Sequence, residues 1–125
     1  MDTSETYIKM CDCAEIQKLR KGNEDLEIGD YVQVRDFYQP FFIAIIDRKG
    51  MTFDSKRPWL PRQDQLQGMS GLNWRDFDEL CWRTVWDYGG SEVVCRETTK
   101  EQAGIQAVMK EKYNKVWDGE QWLIT

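Results

Sequence analysis

From Glu5 to Lys21 the apolar residues Tyr7, Met10, Cys11 and Ala14 recur at the i, i+3, i+4, i+7 spacing of one helical face, with Ile8 and Leu19 at its flank. The spacing predicts a first helix. Ser4 is placed to cap its start, and Gly22-Asn23 tolerate the left-handed backbone at which helices stop. Past Gly29-Asp30 the pattern changes. Tyr31 to Val34 is β-branched and aromatic, Phe41 to Ile46 is an apolar run too short for a buried helix, and Met51 to Phe53 follows a turn at Arg48-Lys49-Gly50. Residues 30–54 therefore read as a three-stranded antiparallel meander whose middle strand, Phe41 to Ile46, is strongly buried.

The helical period returns after Pro61, whose fixed φ suits the first turn of a short helix from Arg62 to Met69, ending within Gly68 to Gly71. Asn73, with Asp76 three residues on, caps a longer helix. Phe77, Leu80, Cys81, Thr84 and Tyr88 mark one of its faces, and Trp82, Val85 and Trp86 mark another. A helix apolar on two sides has to be covered on two sides, in the fold or at a subunit contact. Gly89-Gly90 ends it, and Val93 to Cys95 reads as a short strand. Thr98 or Thr99 caps a last helix with Glu101 in its first turn, Ile105, Val108 and Met109 as apolar positions, and Lys110, Lys112 and Lys115 toward its end, charges that match the helix dipole. Asp118-Gly119 between Val116-Trp117 and Trp122-Leu123 signals a terminal hairpin. The fold class expected is α+β: the meander, which that hairpin can extend, packed against three to four helices in a single domain spanning 1–125.

The chain has 125 residues, 13% of them aromatic, with six Trp and no His. That is enough large apolar surface to offset the entropy of ordering one domain. The formal charge of -5 disfavours general binding to phosphate backbones. Nothing near Met1 has the pattern of a secretory signal, and the longest apolar run is far short of the roughly 20 residues that span a bilayer. The expectation is a cytoplasmic protein without membrane contact, its four cysteines (Cys11, Cys13, Cys81, Cys95) kept as thiols.

Three segments carry a resemblance: Glu5-Thr6-Tyr7-Ile8-Lys9-Met10, then Trp59 through Gln67, then Val108 through Trp122. Together they resemble small uncharacterised proteins encoded by phages and prophages of Gram-positive bacteria. The matching segments make up about a quarter of the chain and span most of its length. What the resemblance implies is a prophage-like origin; it names no activity.

The absence of histidine excludes Ser-His-Asp and Cys-His catalysis. Cys11 and Cys13, two apart on a helix, are rotated by about 200° and cannot share a metal unless the helix breaks there, and Cys81 and Cys95 lack zinc-ribbon spacing. No metal and no cofactor are expected. Asp76, Asp78, Glu79 and Asp87 offer carboxylates for a hydrolase, but a first-turn acid and a solvated face explain them as well. In Arg57-Pro58-Trp59-Leu60-Pro61-Arg62 two arginines flank a tryptophan, and five bases against Asp54 lie between Arg48 and Arg62. Arg57, Trp59 and Arg62 are thus binding candidates for a nucleic acid or an acidic peptide.

The leading expectation is a noncatalytic accessory or protein-binding domain, with a homodimer formed through Trp82, Val85 and Trp86. A nucleic-acid contact through residues 48–62 is the second reading, and a carboxylate-dependent hydrolase the third.

Overall fold

The computed structural model describes residues 1–18, 30–34, 42–45, 58–89 and 97–125. They form two compact units, Thr3–Pro61 and a second made of Met1–Asp2 with Arg62–Thr125. No helix among the described residues is long and apolar enough to cross a membrane. The architecture is mixed α and β, as the periodicities require, but it is not the expected meander.

In the first unit α1 spans Glu5–Cys11 and α2 spans Ala14–Gln17. Ser4 caps α1 as its position suggests, its Oγ accepting from the Tyr7 N–H at 3.2 Å. The helix does not continue toward Lys21. Asp12 turns out of it at φ -79°, ψ 65°, and the Cys13 N–H donates to the Cys11 carbonyl at 2.8 Å, closing a three-residue inverse turn. Burial supplies the reason. On an unbroken helix Ile16 would stand about 180° from Tyr7, whereas after the turn both are fully buried.

The sheet of this unit has the order β2-β1-β3, with β1 at Tyr31–Val34, β2 at Phe42–Ile45 and β3 at Trp59–Leu60. All pairs are antiparallel, Tyr31 facing Ile45 on one side and Leu60 on the other. Two expectations are corrected. The central strand is Tyr31–Val34 rather than Phe41 to Ile46, whose Ile45 is 52% exposed. The third strand of the sheet is the Trp59-Leu60 pair, while residues 51–53, where the third strand was expected, lie outside the described residues. Burial of Val32 and Leu60, both at 0%, pulls β3 onto β1. A side chain then occupies part of the outer edge: Gln17 accepts from the Trp59 N–H at 2.9 Å and donates to its carbonyl at 3.0 Å, as a neighbouring strand would. Tyr7 fixes the end of the strand, its Oη donating to the Pro61 carbonyl at 2.6 Å.

The second unit packs α3 (Gln63–Ser70), α4 (Trp74–Gly89) and α5 (Lys100–Tyr113). Arg62, not Pro61, borders α3, and Gly71 ends it at φ 72°. Asn73 caps α4 through Oδ1, which accepts from the Asp76 N–H at 2.9 Å, and Thr99 caps α5 in the same way from Gln102 at 3.1 Å. Asp2 reinforces that cap. Its Oδ2 accepts from Thr99 Oγ1 at 2.6 Å and from Gln102 Nε2 at 2.9 Å, although Asp2 is 8% exposed. Leu66 from α3 and Phe77 from α4 close over Gly104 of α5.

The hairpin is present, with β4 at Lys115–Trp117 and β5 at Trp122–Ile124, but as a two-stranded sheet of its own rather than an extension of the first. Trp117 and Trp122 face each other across it edge to face, 5.1 Å between ring centroids. Asp118 closes its turn by accepting from Glu120 and Gln121.

Candidate functional site

The 16 residues of α4 meet two environments. Phe77, Cys81, Thr84 and Val85 are buried, the Thr84 hydroxyl donating back to the Leu80 carbonyl at 2.7 Å. Arg75, Asp76, Glu79, Arg83, Trp86 and Asp87 are exposed. Trp86 is 56% exposed and Trp74, at the start of the helix, 69%, with the Arg75 guanidinium 5.8 Å from the Trp74 ring centroid. These are large apolar surfaces to leave in water.

Two concavities flank the helix. A small cleft of about 120 Å³ is lined from α4 by Trp74, Phe77, Asp78, Cys81 and Trp82, from α3 by Gln63 and Gln67, and from α5 by Lys100 and Ala103. Burial pushes the Cys81 thiol up to about 12, and the nearby Asp78 carboxylate adds to the shift. That thiol is far from the thiolate a nucleophile needs. A wider open groove of about 540 Å³ carries Asp76, Glu79, Arg83 and Asp87 of α4 beside Lys110 and Glu111 of α5.

The carboxylates named from sequence are divided between these features. Asp76, Glu79 and Asp87 line the groove and Asp78 the cleft. Asp76 is held by Asn73, whose Nδ2 donates to its Oδ2 at 3.1 Å, and it stands about 16 Å along the helix axis from Asp87. Asp76 and Asp87 therefore do not converge.

Of the Arg57, Trp59, Arg62 candidates the structure describes two. Arg57, with Arg48, Lys49 and Lys56, lies outside the described residues. Trp59 is only 5% exposed, so its ring has no free face for a base, and its buried Nε1 has no acceptor among the described residues. Arg62 borders α3 and pairs with Asp64, Nε to Oδ1 at 3.1 Å, which holds the Asp64 carboxyl below the usual range.

The subunit-contact candidates separate too. Val85 is fully buried in its own chain, Trp82 is half-buried beside the cleft, and Trp86 is exposed. Val85 follows Phe77 and Cys81 at i+8 and i+4, which is the signal that assigns it to the buried row. Missed by the apolar pattern are the four charges Arg75, Glu79, Arg83 and Asp87, which share the exposed side with Trp86.

The turn at Asp12 removes the helical argument that kept Cys11 and Cys13 apart, yet Cys11 is buried and Cys13 Sγ donates to the Met10 carbonyl at 3.6 Å. Among the described residues no group of three or more His, Cys, Asp or Glu could hold a metal ion. Comparison with family models, with curated proteins and with solved structures finds no match.

Proposed function

We propose that this chain is a noncatalytic accessory or protein-binding domain, prophage-like in origin, and that the exposed face of α4 is its contact surface. The observation that carries this reading is the exposure of Trp86, 56%, on a face otherwise made of charges. Tryptophan and arginine are enriched where proteins meet, because a large ring gains area and a guanidinium gains directed bonds when water leaves. Arg75, Arg83 and Trp86 stand together on this face.

Photo-crosslinking tests it. With Trp86 replaced by benzoylphenylalanine, ultraviolet irradiation of the producing cells is expected to give a discrete higher-mass adduct; the same residue at Glu120, exposed in the hairpin turn, is expected to give none. No adduct from position 86, or equal adducts from both positions, would remove the reading.

A further inference from the structure

Arg75, Glu79, Arg83 and Asp87 stand four residues apart and alternate in sign. At about 3.6 residues per turn this spacing sets them along one ridge that winds about 40° per step, and all four are exposed. A row of this kind can serve its own helix through pairs at i and i+4. Here it does not: among the described residues none of the four forms an ion pair.

Reversed, the row is its own complement. Laid antiparallel against a second α4 about a twofold axis level with residue 81, and crossed so that the two ridges run side by side, Glu79 comes opposite Arg83 of the partner subunit and Arg75 comes level with Asp87 of the partner subunit, each pair occurring twice. In that register Trp86 falls level with position 76 of the partner helix, next to Arg75 of the partner subunit, where a guanidinium can lie over the indole. A parallel arrangement in register sets like charge against like.

We propose that the occupant of this face is a second copy of the chain, joined through antiparallel α4 helices. The proposal rests on the reading of α4 as a protein contact and names the partner. It replaces Val85, which is core, with the charged row and Trp86 as the interface.

Sedimentation of the purified chain at tens of micromolar is expected to show a dimer. Glu79→Arg alone and Arg83→Glu alone each bring like charges together twice, and each is expected to weaken dimerisation at least about tenfold, while the double variant restores it. Circular dichroism is expected to show unchanged helix content, since both positions are exposed. A monomeric wild-type chain overturns the proposal, as do single reversals without effect or a double variant no better than either. A monomer whose position 86 still crosslinks to a different protein in cells overturns only the self-pairing. A monomer that crosslinks to nothing overturns the contact reading as well.

Discussion

Replacing Gly104 by alanine sets two effects against each other inside one helix. Alanine in a helix interior is favoured over glycine by about 0.5–1 kcal/mol, because glycine loses more backbone freedom on folding. Against this, a Cβ at position 104 would meet Leu66 Cδ1 at 3.1 Å and Phe77 Cζ at 3.3 Å, both closer than ordinary van der Waals contact. Neither neighbour has solvent to move into, since Leu66 is 0% and Phe77 3% exposed, and they come from different helices. Overpacking of this kind costs about 1–3 kcal/mol, so packing wins and the expected net loss is about 1–2 kcal/mol. Gly68→Ala is the matched control, because its added Cβ has nothing within 4 Å and propensity acts alone. Urea unfolding followed by far-ultraviolet circular dichroism is expected to move the midpoint down for Gly104→Ala and up for Gly68→Ala, at unchanged slope. Adding Leu66→Ala to Gly104→Ala removes the nearest contact, so the two losses are expected to combine to less than their sum. A Gly104→Ala chain as stable as Gly68→Ala would refute the packing argument.

Asp2→Ala leaves the Thr99 hydroxyl and the Gln102 amide without their acceptor, with an expected loss of about 1–2 kcal/mol in thermal unfolding. Asp2→Asn keeps one acceptor oxygen and is expected to lose less; equal losses would show that the carboxylate's bonds are not what matters. The Asp118 carboxyl is held below its ordinary 3.8 by the backbone N–H of Gln121 and then of Glu120. Its folded pKa lies under the unfolded one, so the ionised form supports the turn above the unfolded value, and that support is lost as pH falls through the folded value. Titration followed by NMR at Asp118 is expected to give a midpoint below 3.8, and one at or above it would contradict the turn geometry. With its thiol near 12, Cys81 is expected to resist iodoacetamide at pH 8 until the chain unfolds, with half-buried Cys13 modified first. Early labelling of Cys81 would show that the cleft opens.

Local signals in the sequence located the caps at Ser4 and Asn73, narrowed a third to Thr98 or Thr99, and located the hairpin around Asp118-Gly119, because each depends on residues within a few positions of one another. What escaped was long-range. The pairing of Trp59-Leu60 with Tyr31-Val32 joins residues almost thirty positions apart, and the apolar content of residues 41–46 pointed to the wrong central strand. The turn at Asp12 was equally hidden, since Tyr7, Met10 and Cys11 fit a helix and only the burial of Ile16 demands the break. At the candidate site hydropathy alone misled. It grouped Val85 with Trp86, although one angular step of about 100° takes the chain from core to solvent. The charges that share the exposed face repeat every four residues, a pattern that a search for apolar periodicity passes over.

The overall charge of -5 opposes association of two copies, whereas the α4 row favours it, and the reversal variants separate the two effects. Glu79→Arg replaces an acid by a base and brings the formal charge from -5 to -3, and Arg83→Glu takes it to -7. If repulsion between whole chains governed association, the first variant would dimerise more tightly than wild type and the second less. Facing pairs on a twofold interface demand otherwise: both variants weaken it, because each sets two like charges against their mates. The double variant returns to -5 with the row inverted and still self-complementary, so it regains the contact at no change in net charge. Salt tests the same separation. At 0.15 M the screening length is about 8 Å, which removes most repulsion between distant charges but less of the attraction between groups in contact. Raising salt from low to physiological levels is therefore expected to leave the wild-type dimer nearly as tight while partly relieving Arg83→Glu, which bears the largest net charge. A Glu79→Arg chain that dimerises more tightly than wild type at low salt would show that net charge, not the order of charges along α4, decides the association.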